Sequence, residues 1–357
     1  MKILIIQQKM IGDVLISSIL CENIKKNLPD SEVHYLINNH TEAVVVNNPY
    51  IDRIVYFKAE YKKNRLAFYA FLKGIRKEKY QAVIDVYGKL ESNLVSLFSK
   101  APIKVSHKKW YTNFVYTHHI TKQKKRDMGV GYAIEDRLLF LAPIIPTLEE
   151  TVKKPVIYLT DQEIAGAKKF LESHSIDFAK PILMLSILGS GKNKTYPLPY
   201  MAEVIDHIAE KTDATLLFNY IPSQYVEAKE LYDRCAIGTK KHIKFDAFAK
   251  SLRSFLALLH HCDAIIGNEG GAINMAKALD IPTFSIFSPW ITKLAWDIFS
   301  DQNNVAVHLN DFMPEKIQGK SKKELKQESL ELYPLFTPSL LLDKLEGFLA
   351  NKVLANQ

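Results

Sequence analysis

Three stretches of this 357-residue chain carry side chains of a type and spacing suited to chemistry on a phosphorylated substrate. Residues 265–276 read IIGNEGGAINMA, a buried-type strand, an acid-tagged glycine turn and a small-residue helical pattern. Gly270 and Gly271 lack Cβ, so a ligand can reach their backbone. With Ala272 and Ile273 they offer the N–H groups of a helix start, which attract anions. Each hydrogen bond to a charged oxygen contributes about 1.5–3 kcal/mol, enough in sum to hold a diphosphate without a metal. The plainer reading is a glycine turn that only permits tight packing. Residues 192–197, KNKTYP, place Lys194 in a comparable turn, either as a phosphate-neutralising point charge or as an ordinary loop lysine. In QQKMIGDV (7–14), Asp13 opens a helix. It is either an N-cap contributing about 1 kcal/mol or a general base at the sheet edge, a role with an effect of about 10²–10⁴-fold.

Other chemistries lose their support. The first turn has no GxGxxG, so a dinucleotide fingerprint is absent, and no GxxxxGK[ST] P-loop occurs. His118-His119 and His260-His261 are adjacent pairs whose side chains diverge, which is poor geometry for a metal. No Asp-x-Asp is present to clamp a metal–nucleotide, and Ser186, Ser190 and Ser288 lack a GxSxG setting.

The elements that must position these residues alternate. Strand patterns at 2–6, 32–37, 53–57 and 82–88 separate helical patterns at 13–26 and 65–77, with a further helix over 131–143. Residues 143–156 hold three prolines and mixed charge, a linker composition. Thr160 and Glu163 then form a capping box. Strands at 181–187, 215–220, 263–267 and 282–287 follow, with helices over 198–211 and 251–261 and an amphipathic helix over 339–354. Strand–helix alternation predicts parallel sheets in two α/β halves, with candidate turns at strand carboxyl ends, where such sheets bind ligands.

Composition is that of a globular protein, 47% hydrophobic and 24% charged. Cys21, Cys235 and Cys262 are scattered, which fits a reducing compartment rather than a disulfide framework. MKILII begins like a signal peptide, but Gln7-Gln8-Lys9 and Gly12-Asp13 interrupt the apolar run, so a cytoplasmic location is expected. The net charge of +8 favours anionic partners. Residues 103–126 are rich in Lys and Arg, interleaved with aromatics and free of acid: a solvated loop or edge strand, or a binding patch. No helix-turn-helix, RNP or zinc pattern supports nucleic acid as the partner.

In order and spacing these pieces resemble glycosyltransferase family 9, the ADP-heptose:lipopolysaccharide heptosyltransferases. KILIIQQKMIGDVLISSIL is similar to the family's opening strand, Ile-Gly-Asp turn and first helix. GSGKNKTYPLPYMAEVIDHI is similar to its Lys-x-Trp-Pro segment, with Tyr196 for Trp. SLRSFLALLHHCDAIIGNEGGAINMAKALDIPTFSIFSP is similar to the stretch that usually reads Gly-Asn-Asp-Thr-Gly-Pro-Met-His. The resemblance implies an α/β fold of GT-B type, two Rossmann-like parallel-sheet domains facing a central cleft. Its expected parts are an acceptor-binding domain over 1–150, a nucleotide-sugar-binding domain over 151–338 and a helix over 339–357 packing back on the first. It implies inverting, metal-independent transfer of a heptose or related sugar from a nucleotide sugar, ADP-heptose in the family, to a phosphorylated inner-core or related glycolipid. The nucleotide sugar is a substrate, and no cofactor is implied.

By the same resemblance Asp13 is the base. Ser190, Lys194, Gln224, Glu269, Gly270, Gly271 and Asn274 contact the donor. Lys9, Lys108, Lys109, Lys125 and Arg126 contact the acceptor, with the basic segment against an anionic membrane surface at about 1 kcal/mol per charge. This chain departs from the pattern at Glu269 for Asp, Gly270 for Thr, Ala272 for Pro, Asn274 for His and Gln224 for Glu. Those changes bear on the donor more than on the reaction class. They keep open another nucleotide sugar for a different surface glycan, and a non-catalytic glycolipid-binding homologue.

Overall fold

The computed structural model describes residues 1–121 and 129–354. The chain divides into two compact units, Met1–Tyr158 and Leu159–Gln357.

The first unit runs β1 (Lys2–Ile6), α1 (Ile11–Ser17), α2 (Ile19–Asn27), β2 (Glu32–Ile37), β3 (Arg53–Tyr56), α3 (Arg65–Lys77), β4 (Ala82–Asp85), α4 (Leu90–Ser99), β5 (Ile103–His107), β6 (His118–Ile120) and α5 (Tyr132–Leu138). Its strands form one parallel sheet in the order β3-β2-β1-β4-β5-β6. KILII, EVHYLI and AVID are nearly continuous apolar runs because helices cover both faces of a parallel sheet. One face packs Leu4, Ile6, Leu36 and Val83 against Leu72, Ile75 and Val95 of α3 and α4. Asn64 caps α3, its side chain accepting from the N–H groups of Leu66 and Ala67.

The second unit runs α6 (Asp161–Ser173), β7 (Ile182–Ser186), α7 (Leu198–Lys211), β8 (Thr215–Phe218), α8 (Tyr225–Arg234), α9 (Ile237–Lys240), α10 (Leu252–Leu259), β9 (Ala264–Asn268), α11 (Gly271–Ala278), β10 (Thr283–Ile286), α12 (Lys293–Trp296), β11 (Asn304–Val307), α13 (Lys322–Gln327), α14 (Ser329–Leu332) and α15 (Leu342–Leu349). Five parallel strands take the order β11-β10-β9-β7-β8. The Thr160–Glu163 capping box starts α6, with the Thr160 hydroxyl accepting from Glu163 N at 3.2 Å. α15 contributes Leu345, Phe348 and Leu349 to this unit's core, where Phe348 meets Phe284 at 5.7 Å between ring centres.

The predicted helix over 13–26 is two helices broken at Ser18, and the segment over 339–354 is regular only through α15. β5 and β6 turn part of the basic segment into strands at the edge of the first sheet. β11 was not legible as a strand, because NVAV is too short for period or length to declare it. Among the described residues no helix is long and apolar enough to cross a membrane.

Candidate active site

Each sheet changes winding direction once. In the first, β1 leads on to β2 and β3 on one side, and β4 to β6 lie on the other. In the second, the switch falls between β7 and β9. A crevice opens outside the carboxyl ends of strands at such a point, because the flanking loops leave in opposite directions. The loop after β1 leads into the first turn of α1, which holds Asp13, and the loops after β7 and β9 hold Lys194 and, running into the start of α11, Glu269 to Gly271.

In the second unit β9 ends at Asn268, a residue that sequence reasoning passed over. Its Nδ2 donates to Ser186 O at 2.9 Å, and its Oδ1 accepts from Tyr196 N at 2.6 Å. Ser186 Oγ donates to Asn268 O at 3.1 Å. One buried amide therefore ties the end of β9 to the end of β7 and to the KNKTYP turn. The three glycines of GNEGG separate by role. Gly267 has φ +132°, and a Cβ there would lie 2.4 Å from Ser186 O, so this glycine serves strand packing. Gly270 precedes α11 with φ +154° and nothing within 4 Å of its Cβ position, and Gly271 is exposed. The packing-only reading thus holds for Gly267, while the helix start is open. The first N–H groups of a helix have no intrahelical acceptor, and here the first helical residue, Gly271, is exposed and Ala272 half-buried.

Lys194 closes a short turn, Lys192–Lys194, that is held from several sides. Asn193 O accepts from Ser288 Oγ at 2.6 Å and from Trp290 Nε1 at 2.8 Å. Gly189 N donates to Thr195 Oγ1 at 3.1 Å, and a Cβ on Gly189 would collide with Lys194 O at 2.2 Å. Lys194 Nζ lies 3.4 Å from Glu269 Oε1. Burial pushes the Glu269 carboxyl above its ordinary value, while the Lys194 ammonium pulls the other way. The ring of Trp290 gathers three ammonium groups, Lys194 at 5.4 Å, Lys322 at 5.5 Å and Lys326 at 5.3 Å from its centre. Trp290, Lys322 and Lys326 lie far from the glycine turn in sequence, and no local pattern marked them.

The other expected donor residues are placed less directly. Asn274 is buried one turn into α11. Ser190 is exposed in the loop after β7. Gln224, after β8, is half-buried, and its Oε1 accepts from Ile221 N at 3.2 Å as a local cap.

In the first unit the N-cap reading of Asp13 is corrected. Met10, with φ +45°, holds the cap position, and no side chain caps α1. Asp13 is the third helical residue, and its Oδ1 accepts from Arg137 Nη2 at 2.6 Å. Arg137 comes from α5. Its Nη1 donates to Ala133 O at 2.8 Å and its Nε to Ser17 Oγ at 3.2 Å, so three points fix the guanidinium plane. Tyr35 OH donates to Val14 O at 2.7 Å and fastens the helix start to β2. Lys9 is exposed in the loop before Asp13, and Lys108 is exposed after β5. Lys109 is a strut, donating to Gly88 O at 2.5 Å between the β4 and β5 loops. Lys125 and Arg126 lie outside the described residues.

Residues 68–325 match the model of glycosyltransferase family 9 (heptosyltransferase). The chain is 26% identical over 298 residues to lipopolysaccharide heptosyltransferase 1 of Campylobacter coli, covering 80% of this chain and 84% of that protein. It is 21% identical over 358 residues to lipooligosaccharide heptosyltransferase 2 of Haemophilus influenzae, covering 98% of this chain and all of the relative. In structure it is similar to the family 9 glycosyl transferase of Veillonella parvula, with TM-score 0.74, 16% identity, and 94% and 97% of the two chains covered. It is also similar to the E. coli heptosyltransferase WaaC solved with ADP-2-deoxy-2-fluoro heptose, with TM-score 0.65, 16% identity, and 88% and 100% covered.

Proposed function

The chain belongs to glycosyltransferase family 9, the heptosyltransferases, and from that premise we propose that it moves a heptose from ADP-heptose to a lipopolysaccharide inner-core or related glycolipid acceptor. The fold is the GT-B arrangement of two parallel-sheet domains that this family's solved structures have. Support for the donor comes from relatives named as heptosyltransferases and from the similar E. coli enzyme that binds an ADP-heptose analogue.

The observation that carries the reading is the open start of α11 beside the Lys194–Glu269 pair, at the switch point of the second sheet. The donor diphosphate rests on the N–H groups of Gly271 and Ala272 and on Lys194, with Lys322 and Lys326 adding to the local positive field. These groups supply the charge that a divalent ion would otherwise bring, so the transfer runs without a metal. Glu269 faces Lys194, which offsets its repulsion of the phosphates and leaves it suited to a sugar hydroxyl.

Asp13, oriented by Arg137, takes the proton of an acceptor hydroxyl. That oxygen bonds to the anomeric carbon from the face opposite the diphosphate. The carbon–oxygen bond to the diphosphate breaks, its electron pair leaves with ADP, and the centre inverts. Charge growing on the leaving group meets donors already in place. Lys9 and Lys108 are the described cations that would meet acceptor phosphates.

A second reading, another nucleotide sugar, is favoured by the local engagement of Gln224 and by Asn274 in place of an ionisable side chain. Thermal shift with ADP, UDP, GDP and CMP, followed by transfer from ADP-heptose to an inner-core acceptor, separates the two. Stabilisation by ADP together with ADP release during transfer supports the first reading. Stabilisation by UDP with none by ADP supports the second.

A further inference from the structure

The first unit carries an apolar surface that the transfer reaction does not use. α4 starts directly after the β4 turn at Gly88 and Lys89, and the segment after β5 folds into a single turn, Trp110–Thr112. Between them lies a groove of about 380 Å³, walled by Leu90, Leu94, Leu97, Tyr111, Phe114 and Val115. Its rim is open to water: Leu90 is 72% exposed, Trp110 87%, Tyr111 54% and Phe114 79%. Trp110 and Tyr111 touch edge to face at 5.5 Å between centres, so the rim is continuous. Scattered apolar residues on a surface need no explanation, but a clustered rim above an apolar groove marks a binding surface.

The exposed charges beside it are positive. Lys89 lines the groove and Lys108 lies two residues before Trp110; both are exposed, and residues 103–126 contain no acid. The neighbouring acid, Glu91, is half-buried and faces Lys62 at 3.9 Å. A Trp and a Tyr that pair an apolar body with a polar edge, with exposed lysines nearby in the chain, suit the boundary between headgroups and acyl chains. A second copy of this chain suits the surface less, because docking would bring two lysine rims together.

Position gives the surface a purpose. β1, β4 and β5 are adjacent and parallel, so the loops after β4 and β5 leave the same sheet edge as the loop that leads to Asp13. We propose that Leu90, Trp110, Tyr111 and Phe114 insert into the interface of an anionic bilayer while Lys89 and Lys108 engage lipid phosphates, which presents a membrane-held acceptor to Asp13. The purpose rests on the glycolipid-acceptor reading; the insertion itself does not.

The test is flotation of the full chain with vesicles of phosphatidylcholine alone and with about one-third phosphatidylglycerol. Anionic vesicles are expected to bind the chain and to blue-shift its tryptophan emission, an effect lost in Trp110→Phe. The double variant Trp110→Ala/Phe114→Ala is expected to bind them about tenfold or more weakly. Its thermal stabilisation by ADP, a property assigned to the second unit, should be unchanged, which shows that it is folded. Vesicle binding lost in the double variant, with ADP stabilisation absent from the parent chain, would sink the ADP-heptose donor reading and leave the insertion standing. Undiminished vesicle binding by the double variant overturns the insertion, as does equal binding to neutral vesicles. Self-association of the parent chain that disappears in the double variant without vesicles overturns it in favour of a second copy.

Discussion

Arg137 Nη2 lies 2.6 Å from Asp13 Oδ1, joining residues 124 positions apart in the chain. The Arg137 fork is itself held at Ala133 O and Ser17 Oγ, so it sets the plane of the Asp13 carboxylate. Asp13→Ala should lower transfer by about 10²–10⁴-fold with ADP binding intact. Arg137→Ala should lower kcat by a smaller factor and alter the pH profile. Arg137→Lys keeps the charge but loses the fork, so it should restore part of kcat. Steady-state kinetics across pH measure all three. Normal transfer by Asp13→Ala would remove Asp13 from the mechanism.

Lys194 has two roles, and they can be separated. Lys194→Ala removes a charged phosphate contact, which should weaken ADP by about 10–100-fold and adenosine far less. It also leaves Glu269 buried without its ion partner. Burial already holds the Glu269 carboxyl above its ordinary value. A carboxyl shifted up in the folded state binds its proton more tightly there than in the unfolded chain. The stability this gives is full below the ordinary value and is lost as pH rises through the folded value. The parent chain should therefore lose stability over that window, Lys194→Ala should lose more, and Lys194→Ala/Glu269→Gln should be flat. Melting temperatures from about pH 4, just below the ordinary carboxyl value, up to about pH 8 decide it.

The two classes of glycine in GNEGG predict different failures. Gly267→Ala places a Cβ 2.4 Å from Ser186 O at φ +132°, so it should destabilise the second unit by about 3 kcal/mol or more. Gly270→Ala meets no atom within 4 Å, so its effect is confined to backbone strain at the helix entry. It should cost stability by about 1 kcal/mol while weakening ADP by a larger factor. Urea melts and nucleotide titrations of both variants give the comparison.

Away from the site, Arg253 donates to both Glu163 oxygens and pins α10 to α6. That pairing holds the Glu163 carboxyl down to about 2, from an ordinary 4.5. A depressed carboxyl contributes stability that is present above its ordinary value and is lost as pH falls through the folded value. Allowing for water at the pair's exposed edge, the contribution is about 1–2 kcal/mol. Glu163→Gln should lower the melting temperature at pH 7 and remove much of the loss seen below pH 4.5.

Much of the architecture is legible in one dimension because a parallel sheet buries both faces of its strands. KILII, EVHYLI, ILMLS and AIIGN stand out as nearly continuous apolar runs, and RLAFYAFLKGIRK coincides with α3. The edge strands were harder. β6 is three residues long with a half-wet pattern, and β11 is four, so neither shows a period. The helix over 13–26 was expected to be continuous. The break at Ser18 follows from its N–H bonding back to both Val14 O and Leu15 O, a tightening that apolar spacing does not reveal.

What the sequence determined by itself was the cast: an aspartate and a lysine in strand–helix turns, and a bare glycine pair ahead of a small-residue helix. Residue type and local periodicity are enough for that, since turns and helix starts are built from neighbours in the chain. The tertiary structure decided which of these act together. Strand order put both turns at the points where the sheets reverse their winding, and it brought Arg137 to Asp13, Asn268 to Tyr196, and Lys322 and Lys326 to the ring that holds Lys194. Contacts across so many residues depend on how whole strands and helices pack, which no window of sequence contains.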